Sequence, residues 1–421
     1  MKKRIRLFTV LIYVMISATI LIGCQSQDEP KPATLAVLKS IELKKAPAKT
    51  QYTLGENINL AGIALEGTYS DNSKKAVAVS EANVSGFDSS KPADAQTITI
   101  KVENLSATFS VKILPMRVEN GVLVEILPGY KTLEIPVGVT ALKEKLFQQN
   151  TEVEKVILPE GLTSIAKAAF GWSAVKEVVF PSTLENIEKY AFYDCKNLKT
   201  VDLSKTRLKK ITEETFVGAG IETLIMPNTL VEIGYQAFMD NGNLTRLELP
   251  YGLKVIGLEA FREVGLKNLS LPNSIQHLDQ RAFYYCKSLE TVTTFGEKPA
   301  EMPMDVTSKI DNECFTGGEN IIAFAIPTGI RQIGGSIIVR CSKLTQLSIP
   351  SSVKKIGFGA FDNSGVNDVL IESETPAEVE TVSGMWYGFP SGAKLKVAAG
   401  AVEKYKQATG WKQFQTTIKA K

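Results

Sequence analysis

One spacing constrains this chain more than any other. An apolar residue followed by proline recurs as Ile135-Pro136, Leu158-Pro159, Phe180-Pro181, Met226-Pro227, Leu249-Pro250, Leu271-Pro272, Ile326-Pro327 and Ile349-Pro350. Leu203-Ser204 keeps the phase where no proline stands, so steps are 22 or 23 residues except for one of 55 from Pro272 to Pro327. Phenylalanine follows the same beat at Phe147, Phe170, Phe192, Phe216, Phe238, Phe261, Phe283, Phe315 and Phe361, with Ile338 standing in once. A period of this length marks a stack of identical units rather than a closed globule.

A typical copy reads Leu198-x-x-Val201-x-Leu203-x-x-x-x-Leu208-x-x-Ile211-x-x-x-x-Phe216-x-x-x-x-Ile221. Apolar positions two apart give a strand with one inward face. The later ones turn the chain and fill the interior. Each coil exposes an apolar face that only its neighbours can cover, so an isolated copy is not expected to be stable.

The motif Leu-Pro-x-x-Leu-x-x-Ile-x-x-x-Ala-Phe-x-x-Cys, seen from Phe180-Pro181 to Cys195 and from Leu271-Pro272 to Cys286, resembles the BspA-like class of leucine-rich repeat. The resemblance covers about 116–375. It implies a bacterial surface protein, often an adhesin or host-contact protein, without catalytic activity. Ligands differ across the class.

Two other regions flank the array. Between about Leu35 and Leu114, short alternating runs are separated by turn signals. The runs are Ile41-Glu42-Leu43, Ile58-Asn59-Leu60, Ile98 to Val102 and Phe109 to Ile113, a pattern that predicts a β-sandwich. The order of Tyr52-Thr53-Leu54-Gly55-Glu56, Leu60-Ala61-Gly62-Ile63, Gly67-Thr68-Tyr69-Ser70-Asp71 and Gly86-Phe87-Asp88 resembles the group 3 bacterial immunoglobulin-like domain, usually a spacer. Past the array, Trp386 to Pro390, a strand at Leu395-Lys396-Val397, a short helix from Ala401 to Thr409, and Trp411 with Phe414 read as a cap over the last coil. The expected fold class is mainly β: 35–114 a sandwich, 115–385 a solenoid of about ten coils, 386–421 a cap.

The N-terminus reads as an export signal. Lys2, Lys3, Arg4 and Arg6 precede a largely apolar run from Leu7 to Ile22, which ends in Leu21-Ile22-Gly23-Cys24 and resembles a bacterial lipobox. The resemblance implies cleavage after residue 23, lipid on the Cys24 thiol and a tether over 24–34. Several acyl chains at ~0.8 kcal/mol per methylene hold a protein on a bilayer almost permanently. Gln25 stands where inner-membrane lipoproteins often carry Asp, and Ser26-Gln27-Asp28-Glu29 resembles a surface-export signal, so an outer-membrane, surface-exposed lipoprotein is expected. Without residues 1–23 the formal +3 charge becomes 44 basic against 45 acidic residues, which leaves no electrostatic case for nucleic acid.

No constellation for catalysis is apparent. His277 is the one histidine, and no neighbouring copy repeats it. Cys195, Cys286 and Cys341 sit three residues after the ring position, the rung of a buried filler rather than of zinc spacing or a disulfide framework. Cys314 lies just before Phe315 and could approach Cys341. No cofactor or metal is expected.

Binding is more legible. One residue per strand points out of the sheet: Glu134, Ile157, Val179, Asp202, Ile225, Glu248, Ser270, Thr293, Ala325, Ser348 and Leu370. Ile157, Val179, Asp202, Ile225 and Glu248 are the candidate binding face, with an aliphatic stripe suited to a protein or glycan. Alternatively, β-branched residues simply favour strands, or the first domain packs there. The broken period at 297–318 predicts a loop on one face. The expected protein is a monomeric, non-catalytic surface binder; a scaffold for other envelope proteins is the alternative.

Overall fold

The computed structural model describes residues 35–297 and 307–421. The expected leader at 1–23, Cys24, the tether over 24–34 and most of the 297–318 insertion lie outside the described residues. The chain forms two compact units. Of the described residues, one comprises those up to Lys49, Asn59–Gly86 and Thr97–Phe109; the other comprises Thr50–Ile58, Phe87–Gln96 and those from Ser110 to Lys421.

The immunoglobulin-like region has two sheets. Leu38–Lys45, Ala64–Tyr69 and Lys74–Val77 form an antiparallel trio; the other sheet runs Gln51–Tyr52, Leu105–Ile113, Ala93–Val102, Val84–Ser85. Leu65, Ile98 and Ile100 are buried, as alternation requires. Ile58-Asn59-Leu60 is not the strand its alternation suggests. Asn59 Oδ1 accepts the Ala61 N–H, and Ile63 N–H donates to the Leu60 carbonyl, so a turn takes the backbone groups a ladder would need.

The solenoid has about 13 turns. Each coil has three sides: a strand ending at the Pro position, a two-residue strand, and a tight double turn around the ring residue. The longer strands pair in parallel from Thr132–Glu134 onward, in register, as Ile157 with Val179 and Ile225 with Glu248. The short strands begin at Val122–Ile126, whose free edge is covered by antiparallel Met116–Glu119. There are more turns than the ten coils that the Pro and Phe marks predict. Coil strands without those marks, notably Thr291–Phe295, Lys394–Val397 and Ile418–Ala420, also join the ladder.

The third side is the most regular. In every coil from Phe147 to Phe361, the residues two before and two after the ring position take positive φ, for example Ala168 and Trp172, or Tyr190 and Asp194. These left-handed residues fold the chain into successive tight turns, such as Gly171 N–H to Ala168 carbonyl and Ser173 N–H to Phe170 carbonyl. The ring residue's own N–H is left free and donates to the next coil, from Phe147 to Ala169 (2.7 Å) through Phe315 to Ile337 (2.8 Å). Inside this ladder the eight rings from Phe147 to Phe315 stack 4.6–5.3 Å apart and within 7° of parallel.

The C-terminal cap closes both the core and the ladder. The Phe361 N–H donates to the Gly388 carbonyl, and the Phe389 ring stacks on Phe361 at 5.1 Å. Trp386, Trp411 and Tyr405 are buried beside it, and each satisfies its polar atom on a carbonyl: Gly357, Ala377 and Ser373 respectively. The helix is Val402–Gln407, one turn shorter than its sequence pattern, and Gly410 takes φ 78 as the chain reverses.

The spine gives a direct test. Phe216→Ala removes a fully buried ring between two stacked neighbours and should cost ~3–5 kcal/mol in denaturant unfolding. Phe216→Ile, the residue native at 338, should cost less than half of that.

Candidate functional site

The expected binding face is where the alternation puts it. Val179 and Ile225 are each 42% exposed, Asp202 and Glu248 are exposed, and Ile157 is half-buried. Ile157 and Val179 are register partners, as are Asp202, Ile225 and Glu248 across three strands. The charges beside them pair from coil to coil. Glu154 takes Lys131 at 3.2 Å and Lys176 at 2.9 Å, and Lys155 takes Glu177 at 2.7 Å. Such exposed pairs contribute little stability but leave few uncompensated charges on the face.

The two groups of strands do not run on continuously. The long ladder parts between Val179 and Thr200, between Glu248 and Asn268 and between Phe324 and Gln346, and the short one parts only between Ile187 and Lys210, so both break together at the first of these seams. The coil between has 24 residues from Phe192 to Phe216, against 22 or 23 in its uninterrupted neighbours. The seam opens a shallow depression of about 550 Å³ floored by Val178, Val179 and Phe180 and rimmed by Lys176, Lys199, Lys205 and Asp202.

Asp202 has a second commitment. Its Oδ1 accepts the Ser204 N–H at 2.9 Å. In most other coils this position is proline and has no N–H to satisfy. The carboxylate at 202 thus answers the amide that the missing proline introduces, a role the sequence reading missed.

The cysteines also do more than fill space. All four are free and buried. Cys195 Sγ lies 3.0 Å from the Phe170 carbonyl, Cys286 Sγ 3.2 Å from that of Phe261, and Cys341 Sγ 3.7 Å from that of Phe315. Asn241, on the same rung, donates to the Phe216 carbonyl at 2.7 Å. The rung therefore supplies a donor to the preceding coil's ring-residue carbonyl, with the thiol as a weak and compact one. Burial pushes the Cys195 thiol up to about 11 and those of Cys286 and Cys341 up to about 12. Cys314 is raised in the same way and points at the Asp279 carbonyl at 3.1 Å. These are inert thiols, not nucleophiles.

Among the described residues no group of His, Cys, Asp and Glu could hold a metal ion. His277 is half-buried in the short strand His277–Leu278, between Val255 and Lys309.

The ring side carries a feature absent from the expected face. Trp172 is 41% exposed, and its ring lies 4.9 Å from that of Tyr193, which meets Tyr190 at 5.6 Å. Lys189 lies over the Tyr190 ring and pairs with Glu213 at 3.3 Å and Glu214 at 3.0 Å. The available signal was the aromatic residues beside the periodic Phe, which the core pattern masked.

Two outcomes follow. A thiol reagent such as Ellman's at pH 8 should leave the native protein unmodified at 195, 286, 314 and 341 and react fully after denaturation. Because the folded thiols hold their protons above the ordinary range near ~8.5, stability is intact below that pH. It should fall as pH rises toward about 11–12, read as a declining urea midpoint. Asp202→Ala should cost only ~0.5–1 kcal/mol, because the Ser204 amide it releases is exposed and water can take it, and Ser204→Pro in that background should recover most of it.

Comparison with known proteins places these features. Residues 129–245 and 231–367 match the BspA type leucine rich repeat region in six copies, and 46–113 match the group 3 bacterial Ig-like domain. A leucine-rich repeat protein from Bacteroides ovatus is 17% identical, with 77% of this chain and 90% of that one covered at a TM-score of 0.47. A leucine rich cell surface protein from Faecalibacterium prausnitzii is 16% identical, with 68% and 89% covered at 0.35. Pectate lyase L of Thermoclostridium stercorarium is 31% identical over 121 residues, 29% of this chain; the chain spans 9% of that protein's length. Repeat proteins of the matched class are generally non-catalytic. With the repeat match extending from 129 to 367, over more than half of its 421 residues, the chain belongs to the BspA-type leucine-rich-repeat proteins and carries a group 3 bacterial immunoglobulin-like domain ahead of the repeats.

Proposed function

We propose that this protein is a bacterial surface lipoprotein, anchored through acylated Cys24, that binds a macromolecular ligand on its leucine-rich-repeat solenoid without catalysing a reaction. The immunoglobulin-like region acts as a spacer. The observation that carries the reading is the outward column on the long-strand side. Ile157 and Val179 project from one sheet and Ile225 from the next along the same side, and the lysines and glutamates neighbouring the first pair bridge to each other. Water must be removed from apolar side chains there, but few unpaired charges have to be desolvated when a partner docks. The depression beside Val179 adds a concave feature to a flat face, and its Lys199 and Lys205 rim would favour an acidic or hydroxyl-bearing group. The leader and the Gln25 to Glu29 segment support export and a surface position.

Protease shaving of intact cells tests the location: the solenoid should be cut without lysis, and a solenoid cut only after lysis favours the envelope-scaffold reading. The face is tested on the full chain by screening it against matrix proteins and glycans, then changing Ile157, Val179 and Ile225 together to Asp. Binding should weaken at least tenfold while the urea midpoint moves little. Unchanged binding removes the long-strand face from the account.

A further inference from the structure

The ring side holds an arrangement that the long-strand face does not explain. Of the three tryptophans, Trp386 and Trp411 are buried in the cap, while Trp172 stands 41% exposed. It occupies the left-handed position two residues after Phe170, with φ 58. Five other coils fill that rung with Gly218, Gly317, Asp194, Asp240 or Asn363, which reach positive φ at little cost, and four with the larger Gln149, Glu263, Tyr285 or Arg340; none of these is a tryptophan. A bulky aromatic gains nothing there from local conformation, and its exposed ring fills no core. Both ends of its peptide unit are nonetheless fixed. Trp172 N–H donates to the Tyr193 carbonyl at 2.7 Å, and Ser173 N–H to the Phe170 carbonyl at 3.0 Å.

The neighbours complete a site. Tyr193, one coil on, sets its ring 4.9 Å from Trp172 and tilted by 38°, and Tyr190 packs edge-on against Tyr193. The next residue in the Trp172 column is Asp194, one coil spacing of ~4.8 Å along. Beyond Asp194 the column has Gly218, and the Asp194 carboxylate lies over the place its missing side chain would take. An aromatic platform therefore adjoins a carboxylate that leans into the space left by Gly218. Glu214, with a side chain 15% exposed, is held by Lys189 and by the Tyr190 hydroxyl at 3.4 Å.

We infer that Trp172, Tyr193 and Asp194 form a binding subsite for a neutral pyranose glycan, which deepens the surface-binding reading proposed above and rests on it. A sugar ring has one face of C–H groups and a rim of hydroxyls. The C–H face packs on the exposed Trp172 ring and the half-buried Tyr193 ring, and the hydroxyls donate to the Asp194 carboxylate. The advance between coils is close to that between sugars in an extended chain, so a glycan can follow the solenoid axis. Asp194, Glu213, Glu214 and Asp240 stand around the rings with Lys189 and Lys196 as counter-charges, so the patch is net acidic. That charge selects against uronic, sialylated and sulfated sugars. It also separates this site from the lysine-rimmed depression on the long-strand side.

The experiment titrates the full chain with cellohexaose, xylohexaose, maltohexaose and an oligogalacturonate hexamer, following calorimetry and the acrylamide quenching of the exposed tryptophan. At least one neutral hexasaccharide should bind and protect Trp172 from quencher. Trp172→Ala and Asp194→Ala should each weaken it at least tenfold, Trp172→Phe should weaken it less, and the galacturonate should bind at least tenfold more weakly. Val137→Ser, at an exposed turn outside both proposed sites, should leave the titration unchanged. Absence of binding by all three neutral sugars, a preference for the galacturonate, or binding insensitive to Trp172→Ala overturns the inference. So does a protein ligand from the matrix screen whose binding is the only one lost in Trp172→Ala. Sugar binding in solution with a solenoid protected on intact cells would keep the subsite and reject the surface reading. Cleavage on intact cells without sugar binding would do the reverse.

Discussion

Everything in this molecule depends on one coil meeting the next along the phenylalanine side. From Phe147 to Phe283 each ring residue donates its N–H to the following coil and its side chain stacks on the following ring, and the stack is interrupted only at Ile338 before Phe361 and Phe389 resume it. The two contacts demand the same spacing, so backbone and side chain agree on one geometry. At the 24-residue coil, where the long and short strand ladders both part, this side does not: Phe192 and Phe216 still stack at 5.1 Å, and Phe192 N–H still reaches the Thr215 carbonyl. The sheets adapt around the spine. Because the donors all point the same way, the last coil is left with amides to satisfy, and the cap supplies the Gly388 carbonyl and the Phe389 ring.

That constraint explains where polar chemistry went. A tight turn at every coil creates carbonyls and amides that strand pairing cannot reach, and a buried orphan costs more than a typical hydrogen bond gains. Cys195, Cys286, Cys341 and Asn241 each meet one such buried carbonyl, while Asp202 meets an exposed amide at Ser204. Side chains that look reactive in the sequence are parts of the coil. What remains free to act on another molecule is presented by the coils: aliphatic residues on one side and aromatic residues on another.

Much of this could be read from residue order. The 22- to 23-residue beat, the inward rungs, the cap around Trp386 and Trp411, and the outward column from Glu134 to Leu370 all follow from apolar spacing. Spacing reports which side chains are inside, and it reports little about polar atoms. The thiol-to-carbonyl contacts and the Asp202 turn needed coordinates, because each joins residues through the backbone of another coil. Ile58-Asn59-Leu60 misled for a related reason: alternation is silent about the Asn59 side chain, which bends the chain into a turn. Trp172 went unnoticed because a tryptophan two residues from a core phenylalanine reads as core unless the left-handed backbone at 172 is known.

Native-state hydrogen exchange on the full chain, followed by mass spectrometry, tests the continuous spine most directly. The amides of Phe170, Phe192, Phe216 and Phe238 span the seam where both strand ladders break. If the ring-side ladder binds the coils into one unit, peptides carrying these four residues exchange with a common opening free energy that falls together in denaturant. If the peptides before Phe192 and after Phe216 open independently, with different free energies and different denaturant dependence, the solenoid is two stacked blocks and the account of its spine is wrong.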